Sequence, residues 1–292
     1  MQIFRGSGVA IVTPFTQDGV DFSAFEKLIE FQIENGTDAL IVCGTTGEPP
    51  TMTGAEKTAV IDFAIKQANG RIPVVASTGG NNTAAVIEAS QAAQKAGADA
   101  LLVVTPYYNK ATQAGLIAHY NAVADAVDIP IIVYNVPGRT GLNMLPATLA
   151  QIGQHPNIAA MKEASGNIVQ VSEMIRLCGD SVDLYSGDDA MTVPLISMGG
   201  IGVISVAANI IPQDMHAMCM AALDGDFKTA RQMQLKINPL ADRLFCEVSP
   251  IPIKAALQEL GMCSDLVRLP LTPMGQATRE SLVAAMQTYG LL

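Results

Sequence analysis

Short apolar runs recur along this chain, each followed by turn residues and then by an amphipathic stretch. The runs are Val9–Val12, Ala39–Cys43, Val74–Ala76, Ala100–Val104, Ile129–Tyr134, Ile158–Lys162, Asp183–Tyr185 and Gly202–Val206. Their starts lie about 20 to 35 residues apart, the length of a strand–helix unit. Leu101-Leu102-Val103-Val104 is apolar on consecutive residues, as parallel strands covered on both faces require. Helix signals fill the gaps. Thr53-x-x-Glu56 has capping-box spacing, Asn82 precedes a helical period that stops at Gly97, and Asn167 precedes Ile168, Val171, Met174 and Ile175.

Eight strands alternating with helices fit a closed barrel or an open doubly wound sheet. The count of eight favours the barrel, and so does the lack of a G-x-G-x-x-G turn after the first strand. The expected fold is therefore an α/β (β/α)8 TIM barrel over residues 1–224. Beyond it, Asp226–Glu247, Pro252–Leu260 and Gly275–Tyr289 read as helices without intervening strands, giving a small C-terminal helical domain over 225–292.

Composition narrows the function classes. Only 15% of the 292 residues are charged against 49% hydrophobic, which suggests surface hidden in a large core or against other subunits. The net charge of −10 argues against nucleic acid, because an acidic surface repels phosphates. Five scattered cysteines without C-x-x-C spacing read as reduced thiols. Neither a signal peptide nor an 18-residue apolar span is evident, so the expectation is a cytoplasmic protein with no membrane partner.

In such a barrel, chemistry sits where strands end at their C-terminal side. The polar residues there are Thr13, Thr45-Thr46, Thr78, Thr105, Tyr134-Asn135, Lys162-Glu163, Ser186-Gly187-Asp188 and Ser205. Lys162 stands out, since burying an ammonium disfavours its charged form and supplies the neutral amine that attacks a ketone. The alternative is an outward lysine, between helices, paired with Glu163 or another carboxylate. Tyr134, one strand earlier, is placed to shuttle protons to it, or else simply packs its ring. Gly44-Thr45-Thr46-Gly47-Glu48 offers backbone N–H groups and hydroxyls to a carboxylate, and Arg139 offers a guanidinium fork. His119, His155 and His216 lie away from strand ends, so neither a metal site nor a histidine-based mechanism is expected.

Taken together, Gly44–Glu48, Thr105-Pro106-Tyr107-Tyr108, Tyr134–Gly141, Lys162-Glu163 and Gly187-Asp188-Asp189 resemble the dihydrodipicolinate synthases, and the resemblance extends to Ser249–Lys254 in the helical tail. The resemblance implies a Schiff-base lyase of lysine and diaminopimelate biosynthesis that needs no cofactor. Pyruvate condenses with Lys162, and the enamine attacks L-aspartate-4-semialdehyde to give 4-hydroxy-tetrahydrodipicolinate. Tyr134, Thr45 and Tyr108 would form a proton relay, with Tyr108 reaching in from a neighbouring subunit of a homotetramer built as a dimer of dimers. Thr46 would bind the pyruvate carboxylate and Arg139 that of the aldehyde, while Gly187 and Ile204 would contribute backbone groups beside the lysine.

The wider superfamily includes N-acetylneuraminate lyase and sugar-acid aldolases. Pro137-Gly138-Arg139-Thr140 separates them, since an arginine suits an acidic aldehyde better than a polyhydroxylated one. A non-enzymatic alternative is a barrel that binds a small acid as a regulator; the filled catalytic positions speak against it. One departure concerns control. Members inhibited by lysine use a histidine pair and a glutamate where this chain has Gly54, Lys57 and Ala85, although Asn81 and Tyr107 match. Little or no feedback inhibition is expected. Ser249, where asparagine is usual, is expected to have only a local packing effect.

Overall fold

The computed structural model describes residues 2–292. Eight parallel strands close into a barrel: β1 Gly6–Ala10, β2 Ala39–Val42, β3 Val74–Ser77, β4 Ala100–Val104, β5 Ile131–Asn135, β6 Ile158–Glu163, β7 Asp183–Ser186 and β8 Gly202–Ser205. They neighbour one another in chain order, with β1 pairing both β2 and β8. The expected (β/α)8 TIM barrel is the observed fold, and helices Phe227–Leu244, Ile251–Glu259 and Gln276–Tyr289 follow it.

The local signals act as the sequence requires. Thr53 and Glu56 exchange both bonds of a capping box at the helix Gly54–Ala68. Asn82 caps Thr83–Ala96, which stops at Gly97 in the left-handed region, and Asn167 caps Ile168–Cys178.

Two strands run differently from the sequence expectation. β1 begins at Gly6 rather than Val9, because two glycines masked its start. Gly8 is required there. A Cβ at that position would lie 2.6 Å from Ile41 Cδ1 and 2.8 Å from Phe4 Cζ, both inside the barrel. Ile11 and Val12 continue buried beyond the strand end, where the Val12 N–H turns to Asn209 Oδ1 at 3.2 Å. β5 starts at Ile131, after Pro130, which has no N–H for the ladder. A short antiparallel ribbon, Phe15–Thr16 with Gly19–Val20, was not anticipated.

The core divides into two layers. One packs strands against helices; the other fills the barrel with Ala10, Ile41, Val75, Leu102, Ile132, Ala160, Tyr185 and Ile204. Phe4 floors the barrel, stacked 4.3 Å from Tyr185, whose hydroxyl donates to the Phe4 carbonyl at 2.6 Å. With its lower layers plugged by side chains, the barrel presents its polar strand-end residues at the opposite end. Among the described residues no helix is long and apolar enough to cross a membrane.

Candidate active site

Most polar residues at the strand ends are taken up by the framework. Thr13 donates to the Gly47 carbonyl at 2.8 Å, and Thr78 bonds Ser90 at 2.9 Å. Ser205 Oγ accepts from the Ala208 N–H at 2.8 Å, and Ser186 donates to the Asp188 carbonyl at 2.7 Å. Asn135 donates to Asn143 Oδ1 and to Glu163 Oε2, at 2.8 and 3.0 Å, and its own Oδ1 accepts from the Met144 N–H. Glu163 also accepts from the Ser165 N–H at 2.7 Å. It is therefore engaged away from Lys162, and the outward pair considered from sequence does not form.

Register places Tyr134 directly beside Lys162 on β5 and β6. Both side chains belong to the buried interior, and Lys162 Nζ lies 4.4 Å from the centre of the Tyr134 ring. Burial lowers the Lys162 ammonium to about 8; the Asp189 carboxylate opposes that shift and the Arg139 guanidinium adds to it. Burial pushes the Tyr134 phenol upward, opposed by the adjoining Thr45 side chain and by Arg139. At neutral pH the phenol therefore keeps its proton, while a useful fraction of the amine has lost one. That is the polarity a carbonyl-condensing pair needs.

Thr45, Tyr134 and Arg139 line one cavity of about 730 Å³. Thr45, Thr46 and Gly47 form a single 3-10 turn after β2, with Thr46 buried and Thr45 half-buried. Arg139 sits exposed on the short helix Pro137–Thr140. Gly187 packs on the stem of Lys162: a Cβ there would meet Lys162 Cε at 3.0 Å and Ala164 Cβ at 2.7 Å. Ile204 lies on β8 within the interior layer. Tyr108 is not brought to this site. It is 89% exposed on a backbone with φ 72°, a costly conformation for a tyrosine.

The profile of the dihydrodipicolinate synthetase family matches residues 3–289. The chain belongs to the dihydrodipicolinate synthetase family. A 4-hydroxy-tetrahydrodipicolinate synthase of Thermoanaerobacter pseudethanolicus is 54% identical over 293 residues, covering 100% of this chain and 99% of that one. The crystal structure of the dihydrodipicolinate synthase of Aquifex aeolicus superposes with TM-score 0.97 at 46% identity, covering 99% of each chain. A chloride-inhibited dihydrodipicolinate synthase of Acinetobacter baumannii, complexed with pyruvate, gives 0.98 at 45% identity over 100% of both chains.

In this dihydrodipicolinate synthetase family member three further buried residues adjoin the site, directly or through a partner, that sequence reasoning left without a role. Asp189 is buried, its Oδ2 held by the Val206 and Ala207 N–H groups at 3.2 and 2.9 Å, and its field reaches Lys162. Glu48 and Lys254 form an ion pair with both side chains fully buried. Their places in the Gly44–Glu48 and Ser249–Lys254 segments were the signal, since the partners stand 206 residues apart.

Proposed function

We propose that this chain is a 4-hydroxy-tetrahydrodipicolinate synthase acting through a pyruvyl Schiff base on Lys162. The observation that carries the reading is a buried strand-end amine held near pKa 8 against a protonated Tyr134. Against an unperturbed lysine of 10.5, that value makes the neutral amine about 300-fold more abundant at pH 7.

Lys162 Nζ adds to the C2 carbonyl of pyruvate, and the carbinolamine loses one water to give the iminium. Loss of a C3 proton yields the enamine. Its C3 attacks the aldehyde carbon of L-aspartate-4-semialdehyde. The amino group of that substrate then attacks C2, closes the ring and displaces Lys162, so one water leaves per turnover. Tyr134 and Thr45 would pass protons in these steps, completed by Tyr108 from a neighbouring subunit. The exposure of Tyr108 and its left-handed backbone support a residue that works outside its own chain. Thr46 would hold the pyruvate carboxylate with Gly187 and Ile204 beside the lysine, and Arg139 the carboxylate of the aldehyde. The same reading makes the protein a cytoplasmic homotetramer, and at least a dimer if Tyr108 is donated.

Borohydride reduction with pyruvate, followed by intact mass, should leave a reduced pyruvyl adduct on Lys162. An unchanged mass would sink the enzyme reading in favour of a small-acid-binding barrel. Turnover with the semialdehyde, set against N-acetylneuraminate or 2-keto-3-deoxygluconate, separates synthase from sugar-acid aldolase. Arg139→Ala should damage use of the semialdehyde far more than adduct formation; equal loss of both contradicts the role given to Arg139.

A further inference from the structure

The turn that carries Thr45 and Thr46 is held from the far end of the chain. It closes with the Gly47 N–H on the Gly44 carbonyl at 2.8 Å and the Glu48 N–H on the Thr45 carbonyl at 3.2 Å. Glu48 then takes the left-handed conformation, φ 55° and ψ 40°, which a non-glycine residue keeps only where its surroundings enforce it. Its carbonyl accepts from the Thr51 N–H at 3.0 Å, and its carboxylate is anchored far along the chain. Glu48 pairs with Lys254 of the helix Ile251–Glu259 and accepts the Arg268 N–H at 3.2 Å. Lys254 donates in addition to the Leu266 carbonyl at 2.9 Å. Arg268 reaches the Thr51 carbonyl at 3.2 Å and Glu56 Oε1 at 2.7 Å. Both cations lie 4.1 Å from the Phe15 ring, one at each charged head.

A fully buried ion pair is a poor device for stability, because desolvating both charges cancels much of their attraction. What it supplies is one geometry, since each partner left alone would be an uncompensated buried charge. We propose that Glu48 and Lys254 are positioning residues for the condensation: the C-terminal helices, through this pair, set the backbone of the Thr45–Gly47 turn and so aim the Thr45 hydroxyl at Tyr134 and Thr46 at the bound carboxylate. Arg139, on a different strand end, is outside this control. The inference rests on the roles proposed above for Thr45 and Thr46.

The test uses the paired variant Glu48→Gln/Lys254→Met, which leaves no lone buried charge. It should fold and still form the Lys162 adduct. Its kcat should fall about tenfold or more and its KM for pyruvate rise several-fold, with the KM for the semialdehyde moving less than about twofold. In a Thr45→Val background the same pair of changes should cost less than about twofold further in kcat, because the group through which they act has gone. Kinetic constants that all stay within about twofold of the parent would overturn the proposal, as would an equal loss in both backgrounds. If the paired variant does not fold, Lys254→Arg keeps the charge while altering its reach, and the same cycle with Thr45→Val applies. Failure of the parent chain to form an adduct would sink the Schiff-base reading; a normal adduct with unaltered kinetics in the paired variant would sink only this inference.

Discussion

Replacing Lys162 with methionine should abolish activity and make the protein more stable. The amine sits wholly inside the barrel with its pKa lowered from 10.5 to about 8. A lysine with a depressed folded-state pKa binds fewer protons folded than unfolded between these two values, so it opposes folding below pH 8 and ceases to do so above 10.5. At 1.36 kcal/mol per unit the opposition is about 3 kcal/mol at pH 7 and about 1 kcal/mol at pH 9.5. With an unfolding entropy of roughly 2.1 cal/mol/K per residue, a chain of 292 residues converts these into about 5 °C and about 2 °C of melting temperature. Methionine also adds apolar burial, but that gain does not change with pH. The diagnostic is therefore the difference between the two pH values, measured by scanning calorimetry of parent and Lys162→Met at equal protein concentration. A gain that is the same at pH 7 and 9.5, or a lower melting temperature at pH 7, would refute the claim that desolvation lowers this amine.

Other consequences follow from the same geometry. Mixing inactive Tyr108→Phe with inactive Lys162→Ala under subunit exchange should restore about a quarter of parental activity, since a mixed dimer holds one complete site; no recovery would show that Tyr108 is not donated between subunits. Gly187→Ala forces a methyl against the Lys162 stem and should slow borohydride-trappable adduct formation about tenfold with the fold retained. An unchanged trapping rate would remove Gly187 from the site. Gly54, Lys57 and Ala85 line the 730 Å³ cavity, and the resemblance puts a histidine pair and a glutamate at these places in lysine-inhibited members, so L-lysine at about 1 mM should leave the steady-state rate unaltered. Half-inhibition below that concentration would contradict this.

Periodicity and strand-end chemistry made much of this protein legible in one dimension. Consecutive apolar residues such as Leu101–Val104 could only be covered on both faces, eight such runs between helices selected the barrel, and a lysine closing an apolar strand marked the end that carries the candidate site. These signals are local, because side-chain direction and capping depend on neighbours within a turn or two. Where local propensity was weak, as at Gly6 and Gly8, the start of a strand was hidden; only the interior side chains of Phe4 and Ile41 explain why glycine is there. Tertiary structure alone decided which strand-end polar groups remain for chemistry, consuming Thr78, Asn135, Glu163 and Ser205 in hydrogen bonds and leaving Lys162 beside Tyr134. It also decided how far the amine is lowered and that Lys254 meets Glu48, since desolvation sums over everything packed around a group and contacts between residues 206 apart exist only once the barrel has closed.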